Sequence, residues 1–147
     1  MSSISKAGIF IDVKDLLEYT DRMIYEMSNA DRIHYGDELI RLNLAMIADF
    51  TMAYHRKDEH ITFTAGNKAY DLNLKGEKRS LVDKLEADFE AYKSLMEFCW
   101  EHGKFAKIKK ANKRRKHKHF IELMAKIGSG IVKWSASVYK QVVVSET

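Results

Sequence analysis

Proline is absent from the 147-residue sequence, cysteine occurs once and glycine seven times. Without proline the chain has no residue that must break a helix, and few glycines leave it little means of making tight turns. Long uninterrupted helices are therefore expected. The lone Cys99 excludes an internal disulfide, so nothing points to an oxidising compartment. No apolar run approaches the roughly 20 residues that a membrane span requires, and residues 1–15 contain no continuous apolar segment of signal-peptide length. These absences predict a cytoplasmic protein with no membrane role. A glycine-rich phosphate loop, a nucleophile elbow and paired catalytic carboxylates are equally missing. No Cys/His set has zinc spacing. The chain is read as a non-enzyme with no catalytic residue, no metal site and no cofactor.

What is present is a globular composition, 46% hydrophobic and 31% charged, of a length that suits one domain spanning 1–147. The net charge of +4 is unevenly spread. Nine of the 25 basic residues lie in 104–118: Lys104, Lys107, Lys109, Lys110, Lys113, Arg114, Arg115, Lys116 and Lys118. No acid interrupts them, and the rest of the chain holds 16 basic against 21 acidic residues. A mildly acidic body with one basic block points to a localised site for a polyanion.

The apolar period organises the rest. Residues 12–29 read as a first helix, with Val13, Leu16, Leu17, Thr20, Met23, Ile24 and Met27 at helical spacing and Asp12 placed to cap it. The stretch SNADRIHYGD, 28–37, breaks the period. A second helix is expected over about 37–57 and is apolar nearly all round, with Leu39, Ile40, Leu42, Leu44, Ala45, Met46, Ile47, Ala48, Phe50, Met52, Ala53 and Tyr54, more than one stripe can hold. A bundle core buries one stripe of a helix, so the second stripe predicts burial against another subunit or a partner. A third helix over 77–102 carries Leu81, Leu85, Phe89, Tyr92, Leu95, Met96 and Cys99, with Gly103 as its stop. A fourth, over 113–139, carries Phe120, Met124, Ile127, Ile131, Trp134 and Val138, and the chain is expected to fray from Lys140. Gly128 and Gly130 sit inside that last stripe, where glycine costs about 1 kcal/mol against alanine. Close approach of a neighbouring helix is the expected compensation. Between the second and third helices, ITFTAGNKAYDLNL (61–74) alternates apolar and polar around Gly66-Asn67. It reads as a β-hairpin, or alternatively as an extended loop over the bundle end. The fold class is all-α: an up-down-up-down four-helix bundle with that small hairpin.

Three segments carry a resemblance. ADRIHYGDELIRLNLAMIADFTMAY (30–54), LVDKLEADFEAYKSLMEFCWEHGKF (81–105) and FIELMAKIGSGIVKWSAS (120–137) are similar to the helices of a bacterial four-helix-bundle family. That family includes the 23S rRNA intervening-sequence proteins and the Avd-type accessory proteins (accessory variability determinants) of diversity-generating retroelements. The likeness includes the Gly36-Asp37 step and the glycine pair, Gly128 and Gly130, ahead of Trp134. It implies a homopentamer forming a basic barrel that binds a reverse transcriptase and nucleic acid during mutagenic retrohoming. The 58–76 segment is longer than the family's turn, and the 104–118 connection is longer and more basic.

In the basic block, phosphate contact needs only charge and reach, which Lys and Arg supply. A solvated surface without a role is the competing reading. No aromatic ladder interleaves the block, so RNA and DNA are expected to be held by backbone contacts without base readout. His117 and His119 lie two apart and point to nearly opposite sides of a helix, which suits added charge better than a metal. Cys99 falls on a core stripe and reads as a small buried hydrophobe. The function expected is a nucleic-acid-binding accessory subunit that partners a reverse transcriptase. The alternative is an oligomeric scaffold for another protein, with no nucleic-acid role.

Overall fold

The computed structural model describes residues 8–54, 60–65 and 68–146, with side chains described for 8–54 and 80–136. It is a bundle of four long helices, α1 (Gly8–Tyr25), α3 (Asp37–Tyr54), α4 (Leu74–Glu101) and α5 (Lys110–Glu146). A single turn, α2 (Asn29–Asp31), and a π-helical segment, Arg32–Gly36, lead into α3. Between α3 and α4 the backbone of β1 (His60–Ala65) pairs antiparallel with β2 (Lys68–Asn73), His60 opposite Asn73 and Ala65 opposite Lys68. The Gly66-Asn67 centre of that stretch lies outside the described residues.

The helix limits differ from those read off the period, and those of α1 differ for a tertiary reason. α1 starts at Gly8 rather than Asp12, because Ile9 and Phe10 extend its buried stripe; Phe10 packs on Phe50 with ring centroids 6.4 Å apart. Asp12 therefore sits inside the helix and caps nothing. α1 ends at Tyr25, and Ser28 starts the next helical segment by accepting the Asp31 N–H at 3.2 Å. The 28–37 stretch is thus largely helical. Its π turn holds one more residue per hydrogen-bonded ring than an α turn and brings buried Gly36 against α1. A Cβ on Gly36 would lie 3.2 Å from Ile24 Cγ2. Arg32 closes the α1 terminus, its Nε donating to Ile24 O at 3.1 Å and its Nη2 to Tyr25 O at 3.0 Å.

α4 begins at Leu74 rather than 77 and ends at Glu101. Gly103, at φ +65°, lets Lys104 N reach back to Cys99 O at 2.9 Å in a Schellman-type stop. α5 begins at Lys110, three residues earlier than expected. It runs to Glu146, past the expected limit at 139, and nothing between Tyr139 and Glu146 forces a helix to end.

α1 packs on α3 and α5, and α4 on the same two helices. The core takes the predicted stripes: Val13, Leu16, Met23 and Met27; Leu85, Phe89, Tyr92, Met96 and Cys99; Phe120, Met124, Ile127 and Ile131. Leu17, Ile24, Leu95 and Trp134 are half-buried, and Val138 lies outside the described side chains. Of the apolar residues of α3, Leu39, Leu42, Met46, Phe50 and Ala53 are buried, Ala45 and Ile47 are half-buried with Ile47 against the core, and Ala48 and Leu44 (49% exposed) face out. Gly130 marks a close approach, since a Cβ there would lie 2.9 Å from Ile9 Cγ1. Gly128 sits at ordinary contact, 3.5 Å, from the Phe89 ring.

One polar cluster is buried among these stripes. Thr20 Oγ1 lies 2.7 Å from Leu16 O, 2.9 Å from Asn43 Oδ1 and 2.6 Å from the Tyr92 hydroxyl. With one proton to give to Leu16 or Asn43, Thr20 must receive the Tyr92 proton. Asn43 Nδ2 donates to Val13 O at 3.3 Å. The cluster ties α1, α3 and α4 together at one level, and such fully satisfied polar groups fix the mutual register of helices.

Candidate nucleic-acid interface

The nine basic side chains divide between a connection and a helix. Lys104, Lys107 and Lys109 lie between α4 and α5, and Lys110, Lys113, Arg114, Arg115, Lys116 and Lys118 on the first turns of α5. The connection is pinned. Phe105 and Ile108 are buried in the core, and Lys107 N donates to Glu26 O at 3.0 Å. With two apolar anchors three residues apart held inward, the intervening Lys107 is directed outward.

Among the described residues two of the nine cations engage an aromatic ring or a carboxylate. The Lys104 ammonium lies 5.5 Å from the Tyr35 ring centroid. Lys116 Nζ lies 3.4 Å from Glu26 Oε1, both side chains about three-quarters buried. The other seven, Lys107, Lys109, Lys110, Lys113, Arg114, Arg115 and Lys118, are exposed. Among the described residues none of them forms an ion pair, and Arg115 has only Asn112 Oδ1, at 3.5 Å.

This arrangement is electrostatically unfavourable on its own. The first turn of α5 has no acid, although the N-terminal end of a helix dipole is positive and disfavours cations by a few tenths to about 1 kcal/mol each. Lys110, Lys113, Arg114 and Lys118 also stand three or four residues apart, where like charges repel by a few tenths of a kcal/mol per pair. An external polyanion removes both costs.

Two furrows flank the start of α5. The one between α1 and α5 has a volume of about 570 Å³ and brings Arg22 to Arg115, Lys116, Lys118 and His119, with Glu122 as its acid. The one between α4 and α5 has about 360 Å³ and combines Lys113, Arg114 and His117 with Trp100 and Glu101. His117 and His119 are thus parted, His117 edge-on to Trp100 at 5.0 Å and His119 edge-on to Tyr19 at 5.5 Å. Tyr19 braces the site from below: its hydroxyl donates to Lys116 O at 3.1 Å and accepts from Trp100 Nε1 at 3.3 Å. Burial raises the Tyr19 pKa well above the ordinary phenol, so the hydroxyl keeps its proton. The Trp100 ring is engaged by Phe105, at 4.8 Å, as well as by His117.

Arg22 was not among the residues singled out in the sequence. It lies 93 positions before Arg115, inside the first apolar helix, and only the packing of α1 on α5 joins them. Burial pushes the Cys99 thiol up to about 11, so it stays protonated in the core. Among the described residues no group of three or more His, Cys, Asp or Glu converges to hold a metal, and no helix is long and apolar enough to cross a membrane. No family model, curated protein or solved structure matches the chain.

Proposed function

We propose that this chain is a non-enzymatic accessory subunit that binds RNA and DNA by their phosphates and, as the resemblance implies, partners a reverse transcriptase in a diversity-generating retroelement. The observation that carries the nucleic-acid reading is the set of seven exposed cations without an ion pair among the described residues, on a connection whose apolar anchors are buried. A rigid, self-repelling cationic surface fits a ligand that supplies closely spaced negative charge. Trp100, which lines the α4/α5 furrow with Lys113 and Arg114, has its ring engaged by Phe105 and His117, which favours backbone contact over base stacking.

The fold proposed for this function is an up-down-up-down bundle. Supporting it, the early part of one helix meets the late part of the other in each of the four packed pairs: Phe10 with Phe50, Asp49 with Lys84, Trp100 with His117, and Ile9 with Gly130. We also propose a homo-oligomer, a pentamer if the resemblance holds, assembled through the outward row of α3 at Leu44 and Ala48. Light scattering that gave a 17.1 kDa monomer at micromolar concentration would end that part of the proposal.

The binding test removes charge without touching Lys116, whose pairing with Glu26 gives it a structural role. Changing Lys113, Arg114, Arg115 and Lys118 to Gln is expected to weaken binding to RNA and DNA together by about tenfold to a hundredfold near physiological salt. The log–log salt slope should become shallower by about three. Unchanged affinity would remove the nucleic-acid reading and leave the oligomeric scaffold, which the exposed α3 row also fits, as the function to pursue.

A further inference from the structure

We propose that the furrow between α1 and α5 seats the phosphodiester backbone of a single nucleic-acid strand, and that Arg22 is a contact residue supplied from outside the basic block. This rests on the phosphate-binding reading above and adds to it a place, a residue and a strand form.

Charge and size distinguish the two furrows. The α1/α5 furrow has four cationic residues against one carboxylate in its lining, and the α4/α5 furrow has two against one in a smaller volume. Within the larger furrow Lys116 is already matched by Glu26, which leaves Arg22, Arg115 and Lys118 unpaired among the described residues. These three come from two helices and face one space. Surface charges distributed without a common ligand have no reason to converge in this way, whereas opposite walls that both carry cations suit an anion lying between them.

The furrow also limits the ligand. From Arg115 to Glu122 the α5 wall runs about 10 Å, enough for two or three phosphates of a strand that rises about 3.4 Å or more per nucleotide. Glu26 at one end and Glu122 at the other bound the positive stretch. Adjacent packed helices have axes about 8–10 Å apart, so the groove over their line of contact is about one backbone wide, and a duplex would ride on its rims. The floor is Tyr19 and Met23. The Tyr19 hydroxyl is engaged with Lys116 O and Trp100, so the floor offers contact surface to a sugar and no free group to read a base.

Arg22→Gln provides the test, because Arg22 is exposed and its loss should leave the thermal midpoint in place. The probes are labelled oligo(dT), labelled oligo(U) and a duplex of equal length. For the single strands, affinity is expected to fall about three- to tenfold and the salt slope to become shallower by about 0.7. For the duplex, the change should stay under about twofold. Arg22→Lys, which keeps the charge, should restore most of the single-strand affinity. If Arg22→Gln binds single strands as the parent does while the four-residue block variant loses binding, the furrow is not the seat and the phosphate-binding reading stands. An equal loss on the duplex would overturn the single-strand assignment. If neither variant loses affinity, the underlying reading fails and this inference fails with it.

Discussion

The two halves of α5 treat substitution in opposite ways. From Lys110 to His119 the helix carries cations into solvent and touches the bundle chiefly through Lys116 and His117. From Phe120 to Trp134 it is wedged between α1 and α4, with Ile127 and Ile131 buried and Gly130 against Ile9. The first half is over-supplied with charge that the fold does not use. At Gly130 the second half has no room for a methyl group unless Ile9 moves. One continuous helix thus keeps its proposed phosphate-binding surface and its packing surface on separate turns, and each can be perturbed without the other.

The largest effect is expected in the packed half. Gly130→Leu would force a side chain into the space of Ile9, which a Cβ alone would approach to 2.9 Å. Overpacking of this kind costs about 1–3 kcal/mol, offset in part by the roughly 1 kcal/mol that leucine gains over glycine in a helix. A net loss of up to about 2 kcal/mol is expected, read as a lower urea midpoint with an unchanged slope. An unmoved midpoint would mean that Ile9 yields freely and that α1 does not grip α5 at this level.

Legibility in the sequence follows the same division. The packing stripes were readable because burial imposes a 3.6-residue period, and Phe120, Met124, Ile127 and Ile131 keep it without exception. The basic block was readable because charge of one sign is concentrated in a single stretch. Helix limits were not, since they depend on partners elsewhere: Ile9 and Phe10 lengthen α1 through contacts with Gly130 and Phe50, and Arg32 closes it by folding back on Ile24 and Tyr25. The 28–37 stretch looked like a break because Ser, Asn and Gly usually make one, yet Ser28 serves as a cap and Gly36 as a contact. Arg22 and Glu26 carried no local signal at all; tertiary packing alone brings them to the block.

A second, smaller effect lies where the protein satisfies its own charge, in contrast to the open half of α5. Asp49 is buried between α3 and α4, with Lys84 Nζ at 3.2 Å and 3.4 Å from its two oxygens. Burial, followed by a hydrogen bond with Asp88, raises the Asp49 carboxyl to about 7. The folded state therefore holds this proton more tightly than the unfolded chain, whose aspartate titrates near 4. The stability so gained is complete below about pH 4 and is lost as pH rises toward 7. Asp88 is shifted the other way, and its effect falls below that window. Asp49→Asn should leave stability flat from pH 4 to 7 on this account and make the variant more stable than the parent at pH 8 by about 1–2 kcal/mol. Parallel pH profiles for the two proteins would show that Asp49 does not titrate in this range.

The smallest expected change in stability is the most informative about the open half of α5. Lys113, Arg114, Arg115 and Lys118 are exposed and make no ion pair among the described residues. Replacing them with Gln removes no packing contact of the kind that makes surface substitutions costly, so the midpoint should shift by less than about 0.5 kcal/mol through lost contacts. Two terms act in the opposite direction. Fewer cations stand at the positive end of the α5 dipole, and fewer like charges face each other at three- and four-residue spacing. The sign should therefore be neutral to stabilising, by up to about 1 kcal/mol, and the gain should shrink as salt screens the repulsion. A variant that folds at least as well as its parent while binding nucleic acid poorly would mean that the block is maintained at a cost to the fold and for the sake of a ligand. A clear loss of stability would instead make the block structural, and the contrast between the two halves of α5 would disappear.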